Sequence, residues 1–218
     1  MRFRNRREAG QALAARLHYL RGHEPVVLGL PHGGVAVARE VADALHAPLD
    51  ALLVHKLISP RRPHLVIGAI GEPDVVVSNP ATIRALKVKP AEFGRVARSA
   101  KAELARRTAR YHPDGPPLQV AGRTVVLVDE GIATGATARA AIRVLRARGA
   151  GRIVLAVPVA PLDVLRSLAT DVAQTLCPVP LRRRSPVGDW YTDFDRIDDT
   201  EVLALLAREP AGTGTTRP

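Results

Sequence analysis

The run Val125-Val126-Leu127-Val128-Asp129-Glu130-Gly131-Ile132-Ala133-Thr134-Gly135-Ala136-Thr137 sets two carboxylates after an apolar stretch and follows them with small residues and hydroxyls. An uninterrupted apolar run of this length reads as a strand buried on both faces of a parallel sheet. The C-terminal end of such a strand is where open α/β sheets bind their ligands. The residues after Glu130 form a Gly/Thr turn that leads into a helix starting at about Ala136. Backbone N–H groups in that turn, the positive end of the helix, and the hydroxyls of Thr134 and Thr137 make a cradle for a phosphate. Acceptors beside a phosphate cradle suit a ligand that carries both hydroxyls and phosphate, which is the chemistry of a sugar phosphate. Neither a Walker A loop nor a G-x-G-x-x-G fingerprint occurs, which turns the reading away from nucleoside triphosphates and dinucleotides.

These residues need a scaffold, and the rest of the chain alternates strands with helices. Helical spacing runs over 6–21, 35–45, 91–111, 136–148, 162–168 and 199–207. Short apolar runs at 25–30, 50–56, 124–128, 153–157 and 172–177 read as strands, and 65–70 with 75–78 as a hairpin. The expectation is an α/β fold: an open, mainly parallel twisted sheet with helices on both faces. One domain is expected over 1–209, with its core at about 24–177, a small hood from the N- and C-terminal segments (178–209 at the C-terminal side), and a flexible tail at 210–218.

Composition narrows the class. Hydrophobic residues make up 46% of the 218, enough for a packed core and too many for a disordered chain. No apolar stretch is long enough for a membrane span, and no signal-peptide pattern opens the chain, so a cytoplasmic protein is expected. The single Cys177 forms no internal disulfide, and no zinc-type spacing occurs. A formal net charge of +11 suggests nucleic acid. However, 28 of the 32 cations are arginines scattered over helices, so nucleic acid is not the expected partner. The clustered aromatics Trp190, Tyr191 and Phe194 are more informative.

The run from 125 to 137 resembles the PRPP-binding motif of type I phosphoribosyltransferases. In that motif an apolar strand is followed by two acids, a few small residues and Thr-Gly-x-Thr. The tail segment Val187–Phe194 is similar to a Val-Gly-x-Trp-Tyr-x-Asp-Phe pattern found in one bacterial branch of the family. The resemblance implies that Asp129 and Glu130 hold the ribose hydroxyls of phosphoribosyl pyrophosphate (PRPP). It also implies that Ala133, Thr134, Gly135, Ala136 and Thr137 wrap the 5′-phosphate, and that Mg²⁺ is held mainly through PRPP oxygens and water near the acids. His32, Gly33, Gly34 and Lys56 stand where pyrophosphate is contacted; the alternatives are a plain Gly-rich strand-to-helix turn for 30–34 and a surface lysine for Lys56.

Arg61 and Arg62 stand in the family's mobile-loop region, or in a solvated turn. Trp190 and Tyr191 either stack on an acceptor base from the hood or pack the tail onto the domain. The acids from Asp189 to Glu201 and the remaining histidines read as surface groups. Branch members carry cations where this chain has His32 and His55, and 6-oxopurine enzymes carry an acid at the position of Ala133. The implied reaction transfers a phosphoribosyl group to a nitrogenous, base-like acceptor with release of pyrophosphate, in a homodimer. The rival reading is a non-catalytic PRPP sensor that binds nucleic acid or a protein partner.

Overall fold

The computed structural model describes residues 2–113 and 115–207; the tail expected at 210–218 lies outside them. Chain order is α1 (Arg6–Leu17), β1 (Val26–Gly29), α2 (Gly33–Leu45), β2 (Leu49–Ala51), β3 (Val54–Ser59), β4 (Arg62–Gly71), β5 (Val75–Ser78), α3 (Pro80–Leu86) and α4 (Pro90–Tyr111). It continues with β6 (Thr124–Val128), α5 (Ala136–Ala147), β7 (Arg152–Ala156), β8 (Val159–Pro161), α6 (Leu162–Ala169), β9 (Gln174–Leu176), β10 (Val179–Leu181) and α7 (Asp199–Ala207). Strands β2, β1, β6, β7 and β9 pair in that order, all parallel.

The period of two along β6 divides the core. Val126 and Val128 face α1 and α2 with Leu13, Leu17, Val37 and Val41. Val125 and Leu127 face α5 and α6 with Ile142, Leu145, Val164 and Leu168. Both faces being covered explains why β6 is apolar without alternation. Its carboxylates therefore begin only at its C-terminal end, where the chain leaves the sheet.

A second, antiparallel sheet of β3, β4 and β5 packs on α4 and α7 around Leu57, Ile67, Leu104, Tyr111 and Val202. The sequence reading of 50–56 as one strand is corrected here. Leu52 belongs to the α5–α6 side of the main core and Leu53 to the core under α4, both fully buried. The chain therefore crosses from one core to the other between β2 and β3. Residues 178–195, on the C-terminal side of the expected hood, contain β10 paired in parallel with β8 and a 3-10 turn at Val187–Trp190.

The terminal segments meet. Phe3 N–H donates to Trp190 O (2.9 Å), Thr192 N–H to Phe3 O (2.8 Å), and Asp193 N–H to Arg4 O (2.7 Å). Phe3, Ala9, Val159, Leu181 and Tyr191 form a small core beneath this join. It is the hood expected from the two chain ends. Among the described residues no helix is long and apolar enough to cross a membrane.

Candidate functional site

Asp129 and Glu130 leave the end of β6, and the chain turns through 131–135 into α5. Gly135 caps that helix at φ +75°, a left-handed conformation that glycine adopts at no steric cost. Gly135 offers no capping side chain, and the Ala136 N–H donates weakly to Thr134 Oγ1 at 3.4 Å; Ala133 and Thr134 are exposed. The first-turn N–H groups lack intrahelical partners and stand near the Thr134 and Thr137 hydroxyls, the kind of arrangement an anion needs.

The segment after β1 lies against the acids. A Cβ on Gly33 would fall 1.7 Å from Glu130 Oε2, and one on Gly34 would fall 2.9 Å from Asp129 Cα. Glycine at both positions is what lets the two loops meet. The Pro31–His32 peptide between β1 and α2 is cis. Helix α2 begins at Gly33 itself, two residues earlier than its apolar periodicity indicates.

Asp129 Oδ1 accepts a hydrogen bond from the Glu130 N–H at 2.8 Å. Burial, with the neighbouring Glu130 charge, outweighs that bond and pushes the Asp129 carboxyl up to about 7. Glu130 is already engaged: Arg6 Nε donates to its Oε2 at 2.5 Å. The Arg6 guanidinium also donates through Nη1 to Asp195 O (2.9 Å) and lies 4.1 Å above the Phe194 ring. The Tyr191 hydroxyl donates to the Glu130 carbonyl at 2.6 Å, and the Tyr191 ring packs against Phe3 and Phe194.

Of the aromatic pair, Tyr191 is 1% exposed, with its ring packed inside the join of the two terminal segments. Trp190 is half-buried and its indole N–H donates to Ser185 Oγ (2.7 Å).

The remaining expected residues are placed as follows. His32 Nε2 meets Asp199 Oδ1 at 2.8 Å, and the same carboxylate accepts from the Tyr111 hydroxyl (2.5 Å) and pairs with Arg110. The Tyr111 bond, then His32 and Arg110, hold Asp199 below the usual carboxylate range against slight burial. Lys56 and His55 line a cleft against α4 with Glu103 and Arg106, apart from the acidic pair. Arg61 stands at the β3–β4 turn and bonds Glu92 (3.0 Å), while Arg62 is exposed in β4.

Reading every remaining histidine as a surface group fails for His112. It is buried between Asp50 (2.7 Å) and Glu72 (3.0 Å), because the end of α4 turns inward there. The site residues that sequence reasoning missed are Arg6, Phe194 and Asp199. Arg6 sits in an arginine-rich N-terminus that gives no spacing signal, and its partner is 124 positions away.

Among the described residues no group of three or more His, Cys, Asp or Glu is arranged to hold a metal. The donor set still fits Mg²⁺ brought in by substrate phosphates, which needs only one or two protein carboxylates. Asp129, half-buried and without a cationic partner in the described contacts, is the group that would gain most from it.

Comparison with known proteins agrees with this geometry. The family model for the phosphoribosyl transferase domain matches residues 4–171. Proteins named as phosphoribosyl transferases in two Mycobacterium tuberculosis strains, CDC 1551 and H37Rv, are each 45% identical over 206 residues. That alignment covers 94% of this chain and 46% of theirs. The chain thus spans about half the length of these curated relatives. The crystal structure of TT1426 from Thermus thermophilus superposes with a TM-score of 0.87 at 40% identity, covering 94% of this chain and 98% of that one. A parallel sheet that ends in an acidic pair and a glycine-capped helix therefore belongs to a member of the phosphoribosyl transferase family.

Proposed function

We propose that the chain binds PRPP, or ribose 5-phosphate, at the end of β6 and transfers the phosphoribosyl group to a nitrogenous, base-like acceptor, releasing pyrophosphate. One observation carries this reading: Asp129 and Glu130 pack directly against the glycine pair of α2 and lead, through the short turn at 131–135, into the N-terminus of α5. The 5′-phosphate then sits on 133–137, the ribose hydroxyls donate to the acids, and pyrophosphate lies along the N–H groups at 33–34.

Bond cleavage at the anomeric carbon builds positive charge on the ribose ring, and the acids beneath it favour that charge. Arg6 holds Glu130 in one position, and the hood aromatics keep water from that side. Mg²⁺ bound with PRPP would neutralise the leaving pyrophosphate, near Asp129 and Glu130. No protein nucleophile is required. The acceptor lies under the hood, beside Trp190.

Calorimetric titration with Mg²⁺ and PRPP tests the premise. Saturable binding that is lost in Asp129→Asn with Glu130→Gln is expected, and binding unchanged in that variant would overturn the assignment. A second reading, a PRPP sensor without turnover, draws on His32 and Lys56. His32 is held by Asp199, and Lys56 lines a cleft away from the acids. Assaying pyrophosphate release across purines, pyrimidines and small aromatic acids separates the two. Tight PRPP binding with no turnover on any of them selects the sensor.

A further inference from the structure

A cleft of about 200 Å³ lies between α5 on one side and β4 with the start of α3 on the other. Its α5 wall is Ala136, Arg139, Ala140 and Arg143, which are residues i, i+3, i+4 and i+7 of one helix face. The opposite wall offers the polar side chains of Asn79 and Thr82, and Thr134 stands at the mouth. No acidic side chain lines it.

Charge on this face of the molecule is unbalanced. Asp171 is shared by Arg139 and Arg146, at 3.5 Å from each. Arg139 is also fixed by a 3.0 Å bond to Ser167 Oγ. Arg143, half-buried, makes no ion pair or hydrogen bond among the described residues. A guanidinium partly withdrawn from water and left without a partner favours an anion strongly. Helical side chains lean toward the helix N-terminus. That brings Arg143 over the two alanines whose small side chains give the cleft its depth, and toward the positive end of α5.

We propose that this cleft is a second anion site, distinct from the acidic pair, that takes a compact phosphate-class oxyanion between Arg143, Arg139 and Thr82. It shares Thr134 and Ala136 with the 5′-phosphate loop, so an occupied cleft stiffens that loop from behind. The ligand is either free inorganic phosphate or the phosphate end of a longer molecule. The volume and the fork geometry of arginine suit both.

The test is titration of the full chain with inorganic phosphate while ribose 5-phosphate saturates the loop. One further equivalent of phosphate is expected to bind. Arg143→Ala should weaken that binding tenfold or more, Thr82→Val severalfold, and Arg143→Lys by an intermediate factor. Phosphate binding abolished by ribose 5-phosphate, or equal in wild type and Arg143→Ala, overturns the proposal. If ribose 5-phosphate does not bind while phosphate binding still depends on Arg143, the reading of the acidic pair fails and the second site stands. Pyrophosphate binding tighter than phosphate assigns the cleft to a polyphosphate end; equal or weaker binding assigns it to the free ion.

Discussion

The molecule contains two pairs of carboxylates in contrasting surroundings. Asp50 and Glu72 are buried and almost fully satisfied. His112 lies between them, Ala51 and Leu118 donate backbone N–H groups to Asp50, and Leu53 donates to Glu72. Asp129 and Glu130 have one cation, Arg6, and one local backbone bond between them. The first pair joins the end of α4, the β2–β3 crossover and the β4–β5 turn. The second has acceptor capacity left over. Satisfied acids hold the fold together here, and under-satisfied acids are free to take a ligand.

The largest expected effect of breaking this contrast is at the satisfied pair. Glu72→Ala leaves His112 Nδ1 and the Leu53 N–H without a partner and should cost about 3 kcal/mol or more in urea unfolding. PRPP affinity of the folded fraction should stay unchanged. Next, Asp129→Asn with Glu130→Gln should lower Mg²⁺–PRPP affinity by about a hundredfold, or roughly 2.7 kcal/mol. Burial raises the Asp129 carboxyl, so its charged form disfavours folding near neutral pH. Asp129→Asn alone should therefore leave the melting temperature unchanged or higher.

A pH scan separates the pairs in a third way. Burial disfavours the His112 imidazolium, but Asp50 and Glu72 overcome this and raise it to about 9 from 6.5. A raised folded-state value means that the stability is fully present below about 6.5 and is lost as pH climbs through about 9. The expected loss is about 2 kcal/mol between pH 7 and about pH 10. It should be missing from His112→Gln, measured as the difference between the two curves.

Arg6→Ala should reduce PRPP affinity about tenfold, near 1.4 kcal/mol, by releasing Glu130. Tyr191→Phe, which deletes one hydrogen bond to Glu130 O, should cost about 1 kcal/mol of stability. A larger affinity loss in Tyr191→Phe than in Arg6→Ala would mean that the hood, and not the acid, limits binding.

The sequence made the β6–α5 half of the candidate site legible because every part of it is local. Strand, acids, turn and helix follow one another from 124 to 147, and the apolar run of β6 ends where the carboxylates begin. The parallel sheet was readable for the same reason, since each buried strand is a short unbroken apolar run. The break between Leu52 and Leu53 was not, because two adjacent leucines look alike whichever core each enters. His112 carries no local mark of burial either, as its partners lie 40 and 62 positions away. Arg6, among many arginines, is distinguished only by what the fold brings to it.

The join between the chain ends has a consequence for the order in which the protein matures during synthesis. Arg6 is made long before Tyr191, Phe194 and Asp195, the residues that meet it and Glu130 from the hood. A growing chain ending anywhere between 177 and 190 already holds all five parallel strands. It lacks the contacts that orient its acid. Such a nascent chain can form the sheet and the β6–α5 turn, but the Arg6 contact that fixes Glu130 is completed only when the hood leaves the ribosome.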